Sequence, residues 1–396
     1  MQYRLDEKSG NRLSVLGFGL MRLPRGMSTR IDIDQSEQLV LQAIERGVNY
    51  FDTAYVYMGS EQAFGEIIRR NPAIRAKIFI ATKLPHYQCK TYDDFDRIFN
   101  RQLERLHTDY IDYYLIHNVP TLASWQAVCA IGVEKWIAEK KASGQIRQIG
   151  FSFHGIQEEF LNLLDVYDWD FCQIQYNYMN ENYQAGRKGL LKAHEKGLPV
   201  VIMEPLLGGK LAAGLPKKAE TLFKNAVGGF SPAAWALRWV WHHKEATLLL
   251  SGMGSEAQVA ENIQTAETAV PGMLTEKEMA TIKQAEAIFK ESYKIPCTGC
   301  NYCLPCPKGV NIPGCFAGYN VSFSSGLIAG ISQYMTSTAV MNPKQNSGPA
   351  NCVKCGKCEK QCPQHIRIMN ALEAVSKRME PFWVRAGIKL FAQLRK

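Results

Sequence analysis

The chain has 396 residues, 46% of them hydrophobic, and a formal net charge of +9. That length and apolar content exclude a disordered or fibrous protein and indicate one large core with a smaller one beside it. The N-terminal stretch MQYRLDEKSGNRLSVLGFGL lacks the apolar centre of a secretory signal, and the longest uncharged stretch, between Lys308 and Lys344, is too polar to span a bilayer. A cytoplasmic protein with no membrane span is expected.

In chain order, the apolar runs SVLGFG, VNYFDTA, KIFIATK, YIDYYLIH, IRQIGFS, FCQIQYN, PVVIME and TLLLSG read as strands. Amphipathic stretches lie between them, such as IDQSEQLVLQAIERG, TYDDFDRIFNRQLERLH, SWQAVCAIGVEKWIAEKKASG and NYQAGRKGLLKAHEKG, several closed by a glycine. Eight strand-helix alternations over about 250 residues predict an α/β fold, a (β/α)8 TIM barrel. An open doubly wound sheet is the other arrangement of such elements. A dinucleotide-binding sheet of that kind carries GxGxxG after its first strand, whereas here there is only Gly17-Phe18-Gly19.

Chemistry in such barrels sits at the C-terminal ends of the strands. The second run delivers Asp52 and then Tyr57, the third ends in Lys83, and the fourth ends in His117. Each alone has a structural explanation: a helix cap, a rim aromatic, a solvated end, a hydrogen-bonded core histidine. Together they make a proton-transfer set. A Lys beside a Tyr favours the phenolate, and an Asp keeps that Lys charged. The Tyr then serves as proton donor to a carbonyl oxygen that the His orients.

The stretches GFGLMRLP, FDTAYVYMGSE, ATK, DYIDYYLIH, IGFSFHG, QIQYN, MEPLLGGKL and SEAQVAENI, in this order and strand placement, resemble the aldo/keto reductase superfamily over roughly residues 1–290. The resemblance implies a catalytic tetrad of Asp52, Tyr57, Lys83 and His117, acting on a small-molecule carbonyl or alcohol substrate. It implies a nicotinamide coenzyme held without a Rossmann motif, near Gly19, Met21, Ser152, Gln175, Met203, Pro205, Leu206, Gly208, Ser255, Gln258, Glu261 and Asn262. Met203 stands where many relatives have an aromatic, and Ser152 is followed by Phe153 instead of Asn. Relatives that prefer NADPH hold its 2′-phosphate with Lys and Arg. Gly252 and Gln258 occupy those positions here and cannot make charge-assisted contacts, so a strong NADPH preference is not expected.

The chain holds twelve cysteines, which in a reducing compartment are not disulfides. Cys89, Cys129 and Cys172 are scattered and read as inert core residues. Cys352, Cys355, Cys358 and Cys362 have the C-x2-C-x2-C-x3-C-P spacing of bacterial ferredoxins, and Cys297, Cys300, Cys303 and Cys306 repeat it one residue short. Two [4Fe-4S] clusters are expected, with the fourth cysteine of each run crossing to the other cluster, as in two-cluster ferredoxins. Cys315 is a rival for the crossing ligand, and two structural zinc sites are the alternative to iron-sulfur. Residues 291–396 thus read as a small, mainly α, ferredoxin-like dicluster domain with a helical insertion between the runs, like the tail of a bacterial and archaeal branch of the same superfamily. The final stretch, a basic amphipathic pattern interrupted at Pro381, is expected to pack back on the barrel.

Residues 294–396 contain thirteen Lys/Arg against three Glu, which accounts for the net charge. Such a surplus offsets anionic clusters and suits an acidic partner such as ferredoxin or flavodoxin. Nothing beyond charge supports nucleic-acid binding. Three readings follow: a nicotinamide-linked carbonyl reductase with clusters in its tail; a flavin- or ferredoxin-linked oxidoreductase whose clusters pass single electrons to the barrel; and a non-catalytic electron-transfer or regulatory subunit. The intact tetrad favours the first two.

Overall fold

The computed structural model describes residues 1–26, 30–340 and 345–386. Among these, ten strands form: β1 (Tyr3–Leu5), β2 (Arg12–Ser14), β3 (Leu16–Gly19), β4 (Tyr50–Asp52), β5 (Phe79–Leu84), β6 (Ile111–Ile116), β7 (Ile146–Phe153), β8 (Phe171–Gln175), β9 (Val200–Met203) and β10 (Leu248–Ser251). Strands β3 to β10 pair in parallel and close as β10-β3-β4-β5-β6-β7-β8-β9. The eight apolar runs are therefore the eight staves of a barrel. All six residues of β6 are buried, because a parallel strand is covered on both faces.

Helices α1 (Ile33–Glu45), α2 (Ser60–Arg70), α3 (Tyr92–Leu106), α4 (Leu122–Cys129), α5 (Val133–Ala142), α6 (Gln157–Leu163), α7 (Gly186–Glu195), α8 (Lys217–Asn225), α9 (Pro232–His242) and α10 (Glu256–Ala266) return the chain between strands. Local chemistry sets their ends. Thr91 and Asp94 form a capping box that starts α3, whose buried Phe95, Ile98, Phe99, Leu103 and Leu106 recur at helical spacing. The stretch SWQAVCAIGVEKWIAEKKASG forms two helices, not one, because Gly132 adopts φ 101° and breaks the helical path between α4 and α5. Helix α2 lies so close to α3 that a Cβ on Gly65 would sit 1.8 Å from the Arg105 carbonyl oxygen.

The antiparallel hairpin β1–β2 was not legible in the sequence, since three-residue strands are too short to show a period. Its Leu13 packs with the barrel-lining Tyr50, Tyr113, Phe171, Val201 and Leu248. Asp6 Oδ2 accepts from the Tyr113 hydroxyl at 2.7 Å.

By contacts the chain divides into two units, Met1–Leu206 with Ala233–Glu276, and Leu207–Pro232 with the residues from Lys277 on. The second contains most of α11 (Glu276–Ser292), then α12 (Ile312–Ser324), α13 (Leu327–Thr338), α14 (Lys357–Lys360) and α15 (Ile368–Met379). Its core is built from Ile312, Phe316, Ile331, Tyr334, Leu372, Val375 and Met379. The helical insertion is a pair of helices, α12 and α13, with residues 341–344 outside the described residues. The end of the basic stretch, residues 387–396, also lies outside them. No described helix is long and apolar enough to cross a membrane.

Candidate functional site

The C-terminal ends of the barrel strands present one polar side chain after another. Asp52 closes β4, Lys83 lies one residue from the end of β5, and His117 follows β6. Ser152 lies near the end of β7, and Gln175 closes β8. Parallel strands place all of these ends on one rim.

Lys83 Nζ lies 2.6 and 2.8 Å from the two carboxylate oxygens of Asp52 and 2.7 Å from the Thr53 carbonyl oxygen. Burial pushes the Asp52 carboxyl up, opposed by the Lys83 charge. It pushes the Lys83 ammonium down, opposed by Asp52. Gln173 Nε2 adds a donor to Asp52 Oδ2 at 3.2 Å, from across the barrel. Lys83 Nζ also stands 5.0 Å from the Tyr57 ring centre, and the His117 ring meets that ring edge-on at 6.1 Å. The structure therefore gathers all four residues of the sequence-derived set.

His117 is held well below the ordinary imidazole range by burial, then by the charge of Lys83 and the neighbouring His154 and His86. It is a neutral ring at physiological pH. Asn118, at φ 53°, turns the chain and donates its backbone N–H to Ser152 Oγ at 2.8 Å. Among the described residues, His117 Nδ1, Asn118 Oδ1 and both amide atoms of the fully buried Gln175 have no hydrogen-bond partner. A buried polar group left unmade costs about 1–3 kcal/mol, so this cluster suits a polar ligand such as a carboxamide.

The other coenzyme candidates follow the rim. Gly19 ends β3, Met21 lies in the single turn Leu20–Arg22, and Met203 ends β9, followed by Pro205 and Leu206. Ser255 caps α10 by accepting from the Gln258 N–H, Gln258 Oε1 accepts from the Gly254 N–H at 2.8 Å, and Asn262 Nδ2 donates to Ser251 Oγ at 3.0 Å. Glu261 is half-buried on α10. Gly208 lies in the second unit at φ 67°, where a Cβ would stand 2.2 Å from the Thr298 carbonyl oxygen.

Several contributors escaped the sequence reading. Arg22 is one: its Cβ and Cδ lie 3.4 and 3.6 Å from where a Cβ of Gly252 would be, so the loop that lacks its own basic side chain has a guanidinium residue beside it. Another is the buried Glu61, which accepts from Thr82 Oγ1 at 2.7 Å, Gln102 Nε2 at 2.7 Å and Arg105 Nη1 at 2.9 Å. Gln102 Nε2 also reaches the Lys83 carbonyl oxygen at 3.1 Å, bracing the backbone of β5. Gln173 was detectable, since the period of two in QIQ places it on the same face as Gln175.

The clustered cysteines of the second unit line two cavities. Cys297, Cys300, Cys303 and Cys362 line one. Cys306, Cys352, Cys355 and Cys358 line the other. The fourth cysteine of each run thus stands with the other run. Cys315 lies fully buried in the core on α12 and lines neither cavity. Burial pushes the Cys297 thiol up to about 11 and the Cys303 thiol up to about 12. Four sulfur donors around each cavity fit a cubane cluster. Elsewhere, burial raises Cys89 to about 11 and Cys129 to about 12, as befits inert thiols.

Residues 15–287 match the family model described as the aldo/keto reductase family, and residues 296–367 match that of a 4Fe-4S dicluster domain. The chain belongs to the aldo/keto reductase family of oxidoreductases and carries an iron-sulfur module after its barrel. Among curated proteins it is 26% identical over 276 residues to the 6-dehydroglucose reductase of Novosphingobium aromaticivorans, covering 65% of this chain and 87% of that protein. It is 31% identical over 203 residues to an aldo-keto reductase of Mycolicibacterium paratuberculosis, covering 51% of this chain and 66% of the relative. Among solved structures, the holo form of a Bacillus halodurans aldo-keto reductase shares the fold at TM-score 0.58 and 24% identity, over 72% of this chain and 96% of that one. A Klebsiella pneumoniae aldo-keto reductase solved with NADPH does so at TM-score 0.57 and 21% identity, over 72% and 95%.

Proposed function

We propose that the barrel reduces a small-molecule carbonyl, or oxidises the corresponding alcohol, with Tyr57 as the proton donor or acceptor. When bound, a nicotinamide coenzyme supplies or accepts the hydride. The observation that carries this reading is the buried Asp52–Lys83 pair at 2.6 Å with its ammonium 5.0 Å from the Tyr57 ring. The Lys83 charge, 5.0 Å from the Tyr57 ring centre, acts on the phenol. It stabilises the phenolate formed as the proton leaves for the carbonyl oxygen. Neutral His117 orients that oxygen without competing as an acid. Gln175 and Ser152 would hold the coenzyme's carboxamide.

The test is Tyr57→Phe. Carbonyl reduction should fall by about 10²–10⁴-fold while coenzyme binding, read by fluorescence titration, stays within twofold. Retained turnover would remove Tyr57 from this role.

A second reading rests on the two cysteine-lined cavities of the second unit. In this reading two clusters supply one-electron capacity, a flavin converts between single electrons and hydride, and a ferredoxin or flavodoxin is the partner. Iron, sulfide, zinc and released-flavin analysis of anaerobically purified protein separates the readings. About eight iron with flavin supports the second, the same iron without flavin supports the first, and zinc overturns the cluster assignment.

A further inference from the structure

The eight clustered cysteines are not equally covered. Cys355 is exposed, whereas the other seven are half-buried. Beside it Val353 is 58% exposed, an apolar side chain at the rim of the same cavity, which Lys308 also lines. Lys354, Lys357 and Lys360 are exposed as well. Lys354 is paired with Glu373, but Lys357 and Lys360 stand three apart on α14 and so share a face. The one acid of that turn, Glu359, is half-buried and accepts from the Met369 backbone N–H at 2.8 Å. Lys308 and Val353 thus line this cavity, and the exposed Lys357 and Lys360 flank its ligand Cys358 along the chain.

The other cavity is enclosed differently. It is lined by Pro313, Phe316, Ile366 and Ile368, and Thr298 beside it is covered by the Gly208 turn. Ile312 lines both cavities, so the two stand side by side. The two sites differ in one respect, the exposed ligand Cys355 that belongs to the first.

We propose that the site formed by Cys306, Cys352, Cys355 and Cys358 is the port through which the chain exchanges single electrons with an acidic one-electron carrier protein docked on Val353, Lys308, Lys357 and Lys360. This rests on the cluster reading given above. In the transfer the reduced carrier loses one electron and the oxidised cluster gains it, with no bond made or broken; the reverse step reduces the carrier. Electron-transfer complexes are small and weak, and complementary charge at their rims raises the association rate. Basic residues next to an exposed ligand suit such an encounter.

The experiment uses the full-length, cluster-loaded protein and a reduced [2Fe-2S] ferredoxin as probe. Stopped-flow reduction of the chain's clusters should be second order and should slow as salt rises. In Lys357→Glu/Lys360→Glu the rate constant should fall at least about tenfold and lose its salt dependence, and calorimetric affinity for oxidised ferredoxin should weaken in parallel. Dithionite should reduce this variant at the wild-type rate, and iron content should be unchanged. The same double reversal on a barrel helix, Lys188→Glu/Lys192→Glu, should leave the ferredoxin rate within twofold. A wild-type rate in the α14 variant at full iron content, or equal loss in both variants, overturns the port. Absence of iron in the wild-type protein would instead overturn the cluster reading.

Discussion

Lys83 and Asp52 form a two-contact ion pair, at 2.6 and 2.8 Å, with both side chains almost wholly removed from solvent. Breaking such a pair from one side leaves an uncompensated buried charge, which costs about 3–5 kcal/mol. Asp52→Asn should therefore lower the unfolding free energy of the barrel by about that amount. It should also reduce carbonyl turnover, because Lys83 loses the charge that opposes its desolvation. Denaturant unfolding with parallel kcat/KM measurements checks both, and unchanged stability would show that the pair is not formed in solution.

The cysteine grouping predicts a pattern in double variants. Two [4Fe-4S] clusters hold about eight iron, and losing one ligand should remove about four. Cys306→Ser/Cys355→Ser alters one cavity only and should leave about half of the iron. Cys303→Ser/Cys306→Ser alters both and should leave almost none. Cys315→Ser should keep full iron. Loss of all iron in the first pair would show that ligands do not cross between the runs.

Coenzyme discrimination should depend on Arg22. Its stem lies against Gly252, in the loop after β10. Arg22→Ala should weaken NADPH binding about tenfold or more, the loss of one charge-assisted contact, and change NADH binding little. Equal losses for both coenzymes would place Arg22 away from the 2′-phosphate.

Acid should destabilise the barrel from about pH 6.5 downward. Burial, then the charge of Arg187, lowers the His243 pKa to about 3. Between that value and the unfolded pKa the unfolded chain binds the extra proton, so stability is fully present above the unfolded pKa and falls as pH falls toward 3. His117 is shifted in the same direction. His243 contributes a loss of about 2 kcal/mol between pH 7 and pH 5. His243→Gln should flatten this dependence in urea titrations at several pH values, and an unchanged slope would mean that His243 is protonated in the folded protein.

Much of the architecture was legible because its signals are local. Each barrel strand is an apolar run bounded by turn residues, and a buried parallel strand needs nothing else. The four tetrad residues lie at or just beyond strand ends, where a barrel presents its chemistry, so strand assignment alone brought them to one rim. The break at Gly132 was missed because the hydrophobic pattern continues through it, while the backbone there takes a conformation that ends a helix.

By itself, the amino-acid sequence determined the eight-stranded barrel, the positions of Asp52, Tyr57, Lys83 and His117, and the spacing of two cluster-binding runs. Only the tertiary structure decided what meets across distance. Gln173 reaches Asp52 over 121 residues, and Arg22 lies beside Gly252. It also decided that the turn at Gly208 belongs with Thr298 and that Cys355 is the most exposed of the eight. Periodicity and motif spacing are properties of a short window of chain, whereas these contacts depend on barrel closure and helix packing, which join segments that no window contains.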